Sequence, residues 1–197
     1  MSFFNHLEKR RSIYAIGKNV SLQNSEIEKI IKQAVRLSPS SFNSQSSRAV
    51  TLFGESHTKF WNIVLETLRG IVPESAFAGT NAKIQSFIAG QGTVLFYEDQ
   101  SVIQELQEKF ALYADNFPVW SEHSTAIAQF AVWTALSEQN IGASLQHYNP
   151  IVDEEVAQTF DIPKHWKLRA QLVFGSIEAP AGEKAFISDE ERFKTFN

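Results

Sequence analysis

Between Trp120 and Asn140 the apolar residues Ala126, Ile127, Ala128, Phe130, Ala131, Val132, Trp133, Ala135 and Leu136 cover most of the circumference of a helix. No Pro or Gly interrupts the run. A helix that is apolar on nearly every side must be buried on nearly every side. The rest of the chain, or a second chain, therefore has to be wrapped around it. Gly142 is well placed to stop the helix. Ala128 and Ala131, three apart, share a face on which small side chains suit a close-packed neighbour.

The segments around it read as amphipathic helices and short strands. From Ser25 to Leu37 the residues Ile27, Ile30, Ile31, Ala34 and Val35 repeat at helical spacing, and Ser25 with Glu28 has the form of a capping box. Phe60, Trp61, Val64, Leu65 and Leu68 define a second such helix, and Val102, Ile103, Leu106 and Phe110 a third after Asp99. Ala49 to Phe53, Thr93 to Tyr97 and Leu168 to Phe174 read as strands. The fold class is α+β. No repeat, linker or composition shift divides the chain, so residues 1–197 form one domain. From Glu178 to Asn197 no amphipathic period is present, and that tail either frays or lies on something else, such as another subunit.

Composition narrows the chemistry. With 0 Cys, disulfide frameworks, thiol nucleophiles, Cys-ligated zinc and iron–sulfur clusters are excluded, and a reducing, cytoplasmic setting is expected. Any redox chemistry must come from a borrowed group. A formal net charge of -4 argues against a broad basic surface for nucleic acid. Charges at Glu8, Lys9, Arg10 and Arg11 stand where a signal peptide needs its apolar run, and no apolar stretch approaches the length of a membrane span. The aromatics, chiefly 16 Phe and 4 Trp, hint at an apolar interface or a planar ligand.

Familiar catalytic motifs fail. Neither a G-x-S-x-G nor a phosphate-binding G-x-x-x-x-G-K-[ST] occurs, and the G-x-G at Gly90–Gly92 leads into a strand, whereas a dinucleotide fingerprint opens a helix. The five histidines never fall at helical ligand spacing, so no metal site is expected. Two segments stand out instead. Arg10, Arg11 and Ser12 combine two permanent cations with a hydroxyl, which suits a phosphate monoester as well as an ordinary solvated pair. Pro39-Ser40-Ser41-Phe42-Asn43-Ser44-Gln45 is a dense, uncharged donor and acceptor set, read either as a binding loop or as a plain polar turn.

In order and spacing these two segments resemble the nitroreductase family of flavin enzymes, where an R-x-S near the N-terminus and a P-S-S-x-N-x-Q loop both face FMN. Gly92 to Asp99 and Gly182 to Phe186 resemble the short branch that holds the fungal fatty-acid-repression-mutant proteins and a copper-induced bacterial nitroreductase. The resemblance implies a nitroreductase-like mixed or antiparallel sheet surrounded by helices, in an interlocked homodimer with two FMN molecules at its interface. The helix from Trp120 to Asn140 is then the dimer helix.

Roles carry over residue by residue. Arg10 and Ser12 would hold the FMN phosphate, with Arg11 adding at least backbone contacts. Ser40, Ser41, Asn43 and Gln45, from the partner chain, would meet the ring edge or ribityl chain. Lys184, with Arg192 behind it, would reach the phosphate, and Lys83 the flavin N1/C2 edge. Residues 142–148 occupy the place of a family loop whose backbone faces the flavin, with Gln146 and His147 as possible contacts. Ser46-Ser47 departs from the Pro-Trp of longer members, and Tyr14 stands where they carry a basic residue. The implied activity is NAD(P)H-dependent reduction of nitroaromatics, quinones or other flat acceptors on FMN, with no catalytic side chain. A flavin-binding regulatory protein with incidental turnover is the alternative.

Overall fold

In a computed structural model that describes residues 2–197, a five-stranded antiparallel sheet lies between two helical layers. β5 (Trp166–Ile177) is its spine. β3 (Gly92–Asp99) runs along one edge of β5 and β4 (Ile141–Gln146) along the other, because Val173 faces both Thr93 and Ser144. β1 (Ile16–Gly17) pairs with the end of β5 beyond β3, and β2 (Ser47–Phe53) closes the sheet against β3. Every strand pair is antiparallel, which decides between the mixed and antiparallel alternatives.

All eight residues of β3 are buried, since both of its faces are covered. Its side chains alternate between the layers as a pleated strand requires. Leu95 and Tyr97 enter one core with Phe60, Trp61 and Val64 of α3 (Gly54–Arg69) and with Ile84 and Phe87 of α4 (Glu74–Ile88). Val94 and Phe96 enter the other with Ile27 and Ile31 of α2 (Asn24–Leu37) and Val132 and Leu136 of α6 (Phe117–Glu138). Each large side chain buried in this way stabilises the fold by about 1.5–3 kcal/mol. A bulge in β5 pairs Phe96 with Ala170 but Tyr97 with Leu168. The extra residue, Arg169, reaches α6 and forms a two-pronged ion pair with Glu122, at 2.6 and 2.9 Å.

Four expectations change. The long helix is buried on one side only: Ala128, Val132 and Leu136 are covered by the chain itself, whereas Ile127 and Phe130 remain 43% and 40% exposed. Ala128 therefore packs inside the subunit, and of the alanine pair only Ala131 lines the open groove, with Phe3 of α1 (Phe3–Lys9) and Leu37. The cap of α2 lies two residues earlier than read, since the Glu26 carboxylate accepts the Gln23 N–H at 2.8 Å. Glu28 pairs instead with Lys32. Asn140, in the left-handed region at φ 59°, follows the end of α6 in place of Gly142. Gly142 sits inside β4, which occupies most of the segment read as a loop. A Cβ there would stand 2.9 Å from side-chain carbons of Ile13 and Ile177.

α5 (Gln100–Lys109) starts directly after Asp99, as the sequence implied, and Asp99 caps it by accepting from the Ser101 N–H at 3.1 Å. α7 (Asp153–Thr159) joins β4 to β5, and the tail carries only the short α8 (Asp189–Arg192). Beyond β5 the tail exposes Phe186, Phe193 and Phe196. No helix among the described residues is long and apolar enough to cross a membrane.

Candidate flavin site

Residues 10–15 run beside β4. Ser12 forms a parallel bridge to Ala143, and the Ile13 N–H donates to the Ala143 carbonyl at 2.9 Å. Ile13 points into the core, so its neighbours Ser12 and Tyr14 point away from it. On that outer side Arg10, Arg11, Ser12 and Tyr14 line a cavity of about 560 Å³ whose opposite wall is residues 179–184. The wall is tied down where the Glu178 N–H reaches the Ala15 carbonyl at 2.9 Å and Arg11 Nη2 donates to the Gly182 carbonyl at 2.7 Å. Lys184 lines the same cavity.

Arg10 is the informative residue. Its guanidinium carbon lies 4.4 Å from the Trp133 ring centroid on α6. Its Nε is buried without a hydrogen-bond partner, as is the Trp133 indole nitrogen. Burial, and then the charge on Arg11, hold Arg10 below the ordinary arginine pKa. A buried donor without an acceptor costs about 1–3 kcal/mol, and more when it is charged. Three cations and the hydroxyls of Ser12 and Tyr14 line this cavity, and Glu183 is the lone carboxylate on its wall among the described residues. That set fits a phosphate dianion.

The second segment folds into a tight loop. Asn43 and Ser44 N–H groups donate to the Ser40 and Ser41 carbonyls, each at 3.0 Å, and the Gln45 N–H donates to Ser40 Oγ at 2.9 Å. Phe42, Asn43 and Gln45 adopt φ of 56°, 49° and 49°, a left-handed conformation that non-glycine residues seldom take. Strained backbone of this kind persists only where its surroundings hold it. Phe42, half exposed on its outer side, rests against Phe110, Phe117 and Trp120, with ring centroids 4.9–6.0 Å away. Asn43 and Gln45 remain exposed. Ser40 and Gln45 line a second cavity of about 510 Å³, while Ser41 lines a small crevice beside Trp120.

Within one chain the two segments do not share a cavity. Gln146 is buried at the end of β4, donating to Ser144 Oγ at 3.1 Å, and His147 beside it is exposed. Lys83 is exposed on α4, in the layer on the far side of the sheet from α6, with its Nζ 5.8 Å from the Phe87 ring. Arg192 lies over Phe193 in the exposed tail, away from the Arg10 cavity.

The sequence reading missed the support under the loop. Arg48 Nη1 donates to the Gln45 carbonyl at 2.6 Å, and Nη2 pairs with Asp99 at 2.8 Å. Glu98 is fully buried and accepts from the Ser46 and Ser47 hydroxyls. Burial raises the Glu98 pKa against those hydroxyl bonds. Burial would raise Asp99 too, but the Ser101 hydroxyl and Arg48 outweigh it and hold that carboxyl below its usual value. An acidic pair ending an apolar strand was visible. Its partners were not, because they depend on the β2–β3 register that sets Ser47 opposite Glu98.

Comparison with known proteins agrees with this architecture. The family model described as the nitroreductase family matches residues 7–176. Two Saccharomyces cerevisiae proteins are similar along nearly the whole chain: HBN1 at 34% identity over 96% of this chain and 95% of its own, and nitroreductase FRM2 at 30% over 95% and 94%. Among solved structures, nitroreductase CinD from Lactococcus lactis is 52% identical over the full length of both chains. Its complexes with nicotinic acid and chloramphenicol superpose with TM-scores of 0.93 and 0.92. With an α+β fold built on a central antiparallel sheet between helical layers, and a family match across most of its length, this chain belongs to the nitroreductase family.

Proposed function

We propose that the protein is an FMN-dependent oxidoreductase that uses NADH or NADPH to reduce nitroaromatics, quinones or similar flat acceptors. The observation that carries this reading is the convergence of Arg10, Arg11, Ser12 and Lys184 on one cavity, in a chain where the Arg10 Nε is buried without a partner. Arg10 and Lys184 hold the phosphate by charge, Ser12 adds a neutral donor, and Arg11 steadies the opposite wall through Gly182. When bound, FMN supplies the hydride chemistry, and the protein supplies position and field. No side chain need act as nucleophile, so the lack of Cys is no obstacle.

The loop from Ser40 to Gln45 contributes uncharged donors and acceptors to the ring edge or ribityl chain of a flavin held by a second copy. That division between chains accounts for two segments that line separate cavities in one subunit. The half-exposed apolar face of α6, with Ile127, Phe130 and Ala131, is the surface on which the second copy packs. Obligate dimer interfaces have this apolar character. Of the remaining candidates, His147 and Arg192 are exposed where a partner or the tail could carry them to the site, whereas Gln146 is buried in β4 and Lys83 lies in the layer away from α6. That CinD has been captured with chloramphenicol and 4-nitrophenol supports flat nitroaromatic acceptors for this chain too.

Purified protein should carry or take up two FMN per dimer and oxidise NAD(P)H with a quinone or nitroaromatic, giving parallel double-reciprocal lines as one exposed ring face serves donor and acceptor in turn. Protein that neither binds FMN nor gains stability from it would refute the reading, since ligand at 100 times its Kd stabilises a fold by about 2.7 kcal/mol. Tight FMN binding without acceptor turnover would instead point to a flavin-binding regulator.

A further inference from the structure

The Ser40–Gln45 loop holds three left-handed non-glycine residues within four positions, and its own hydrogen bonds are few and short-range. Left alone, such a segment relaxes toward commoner backbone conformations. Something outside the loop must therefore fix it. Phe42 anchors its middle in the aromatic cluster, but its end carries no apolar anchor: Ser44, Gln45, Ser46 and Ser47 are all polar. Glu98 accepts from the Ser46 and Ser47 hydroxyls, and Arg48 is what meets the Gln45 backbone.

The Arg48 guanidinium spans a gap between two elements. Nη1 donates to the Gln45 carbonyl at 2.6 Å and more weakly to the Ser47 carbonyl at 3.3 Å, while Nη2 donates to Asp99 Oδ2 at 2.8 Å. Asp99 is itself fixed, because its other oxygen accepts from the Ser101 N–H and hydroxyl at 3.1 and 2.6 Å, and its own N–H donates to the Ser46 carbonyl at 3.0 Å. The ion pair is largely shielded, with the two side chains 28% and 7% exposed. A planar fork with donors at fixed angles can serve a carbonyl and a carboxylate together, which a lysine ammonium on a flexible stem cannot do in the same geometry. The Gln45 carbonyl is thus referenced, through Arg48 and Asp99, to the junction between the end of β3 and the start of α5.

We infer that Arg48, braced by Asp99, is a positioning residue that holds the Ser40–Gln45 loop in its left-handed, flavin-competent form. This rests on the reading of that loop as a flavin contact. Arg48 acts through the Gln45 backbone: releasing its carbonyl lets the loop sample other conformations, and the apparent Kd rises by the inverse of the competent fraction that remains. A loop that is competent one-tenth of the time binds FMN about 10-fold more weakly.

The test compares wild type, Arg48→Met, Arg48→Lys, Asp99→Asn and Arg10→Met as full-length proteins, by FMN fluorescence titration and by visible circular dichroism at saturating FMN. Arg48→Met is expected to raise the FMN Kd about 10-fold or more and to change the visible dichroism of the bound ring, with Arg48→Lys recovering only part of the loss. Asp99→Asn should show the same change in smaller degree while keeping its bond to Ser101. A purely structural role would lower the melting temperature yet leave the dichroism of bound FMN unaltered. If wild type binds FMN and Arg10→Met weakens it, but Arg48→Met keeps the wild-type Kd and dichroism, the inference is overturned while the flavin assignment stands. Should Arg48→Met not fold, Asp99→Asn decides on the same two measurements, and wild-type values there overturn the inference. If wild type itself binds no FMN, the assignment fails and the inference with it.

Discussion

Replacing Arg10 separates a ligand-binding arginine from a structural one, because the two roles predict opposite results without ligand. In the free protein Arg10 is under stress: its Nε is buried without a partner, and burial together with Arg11 disfavours its charge. Arg10→Met removes an unsatisfied donor worth about 1–3 kcal/mol of penalty and loses a cation–π contact with Trp133 worth about 0.5–2 kcal/mol. These offset each other, so the free variant should melt within a few degrees of wild type. With FMN present only a loss remains. A charge-assisted hydrogen bond contributes about 1.5–3 kcal/mol, so the Kd should rise roughly 10- to 150-fold, with Arg10→Lys in between. Flavin fluorescence titration gives the Kd, and melting with and without FMN gives the two stabilities. A variant that is strongly destabilised when free, yet binds FMN with unchanged affinity, would mean that Arg10 belongs to the packing of α6 and that the phosphate lies elsewhere.

His57, buried between Thr93 and the Phe87 carbonyl, has its pKa lowered from 6.5 to about 4 by burial, so folding favours its neutral form. That contribution is complete above pH 6.5 and is lost as pH falls toward 4, in total about 3 kcal/mol. Melts of His57→Gln against pH should be flatter than wild type across this window, and parallel curves would refute it. Ala131→Glu places a carboxylate on the half-open side of α6, where a lone subunit tolerates it but a packed interface loses several kcal/mol. Sedimentation should show a folded monomer with little FMN, and a flavin-bearing dimer would place the interface elsewhere.

How far the sequence revealed this molecule depends on how local each determinant is. The helices with clear apolar periods, α2, α3 and α5, were legible because periodicity is local, and so were β2, β3 and β5. β4 was not, because its alternation of Ile141, Ala143 and Leu145 with Gly142, Ser144 and Gln146 is carried by small residues with one β-branched side chain, and its strand character comes from pairing with β5. α4 spaces Phe77, Ile84 and Phe87 too widely for a strong period. The misplaced cap of α2 shows a related ambiguity. Gln23 with Glu26 and Ser25 with Glu28 have the same spacing, and only the backbone geometry distinguishes them.

The site follows the same division. Arg10, Arg11, Ser12 and Lys184 converge on one cavity although more than 170 residues of sequence separate the ends of that set, and it was family resemblance, not local pattern, that joined them. A buried guanidinium nitrogen cannot be seen in a sequence, because its isolation depends on where Trp133 lands. The loop from Pro39 to Gln45 was legible as chemistry but not as geometry. Its composition announces donors and acceptors, whereas its left-handed backbone needs Phe42 seated among distant aromatics and Gln45 held by Arg48. Family resemblance therefore nominated the groups proposed to touch a flavin. The groups that keep them in place, Arg48, Glu98 and Asp99, appeared only once strand register had put β2 against β3. A search for further determinants of cofactor affinity belongs along that strand pair, where Arg48→Met tests whether a substitution outside the loop changes how much of the time the loop is able to bind.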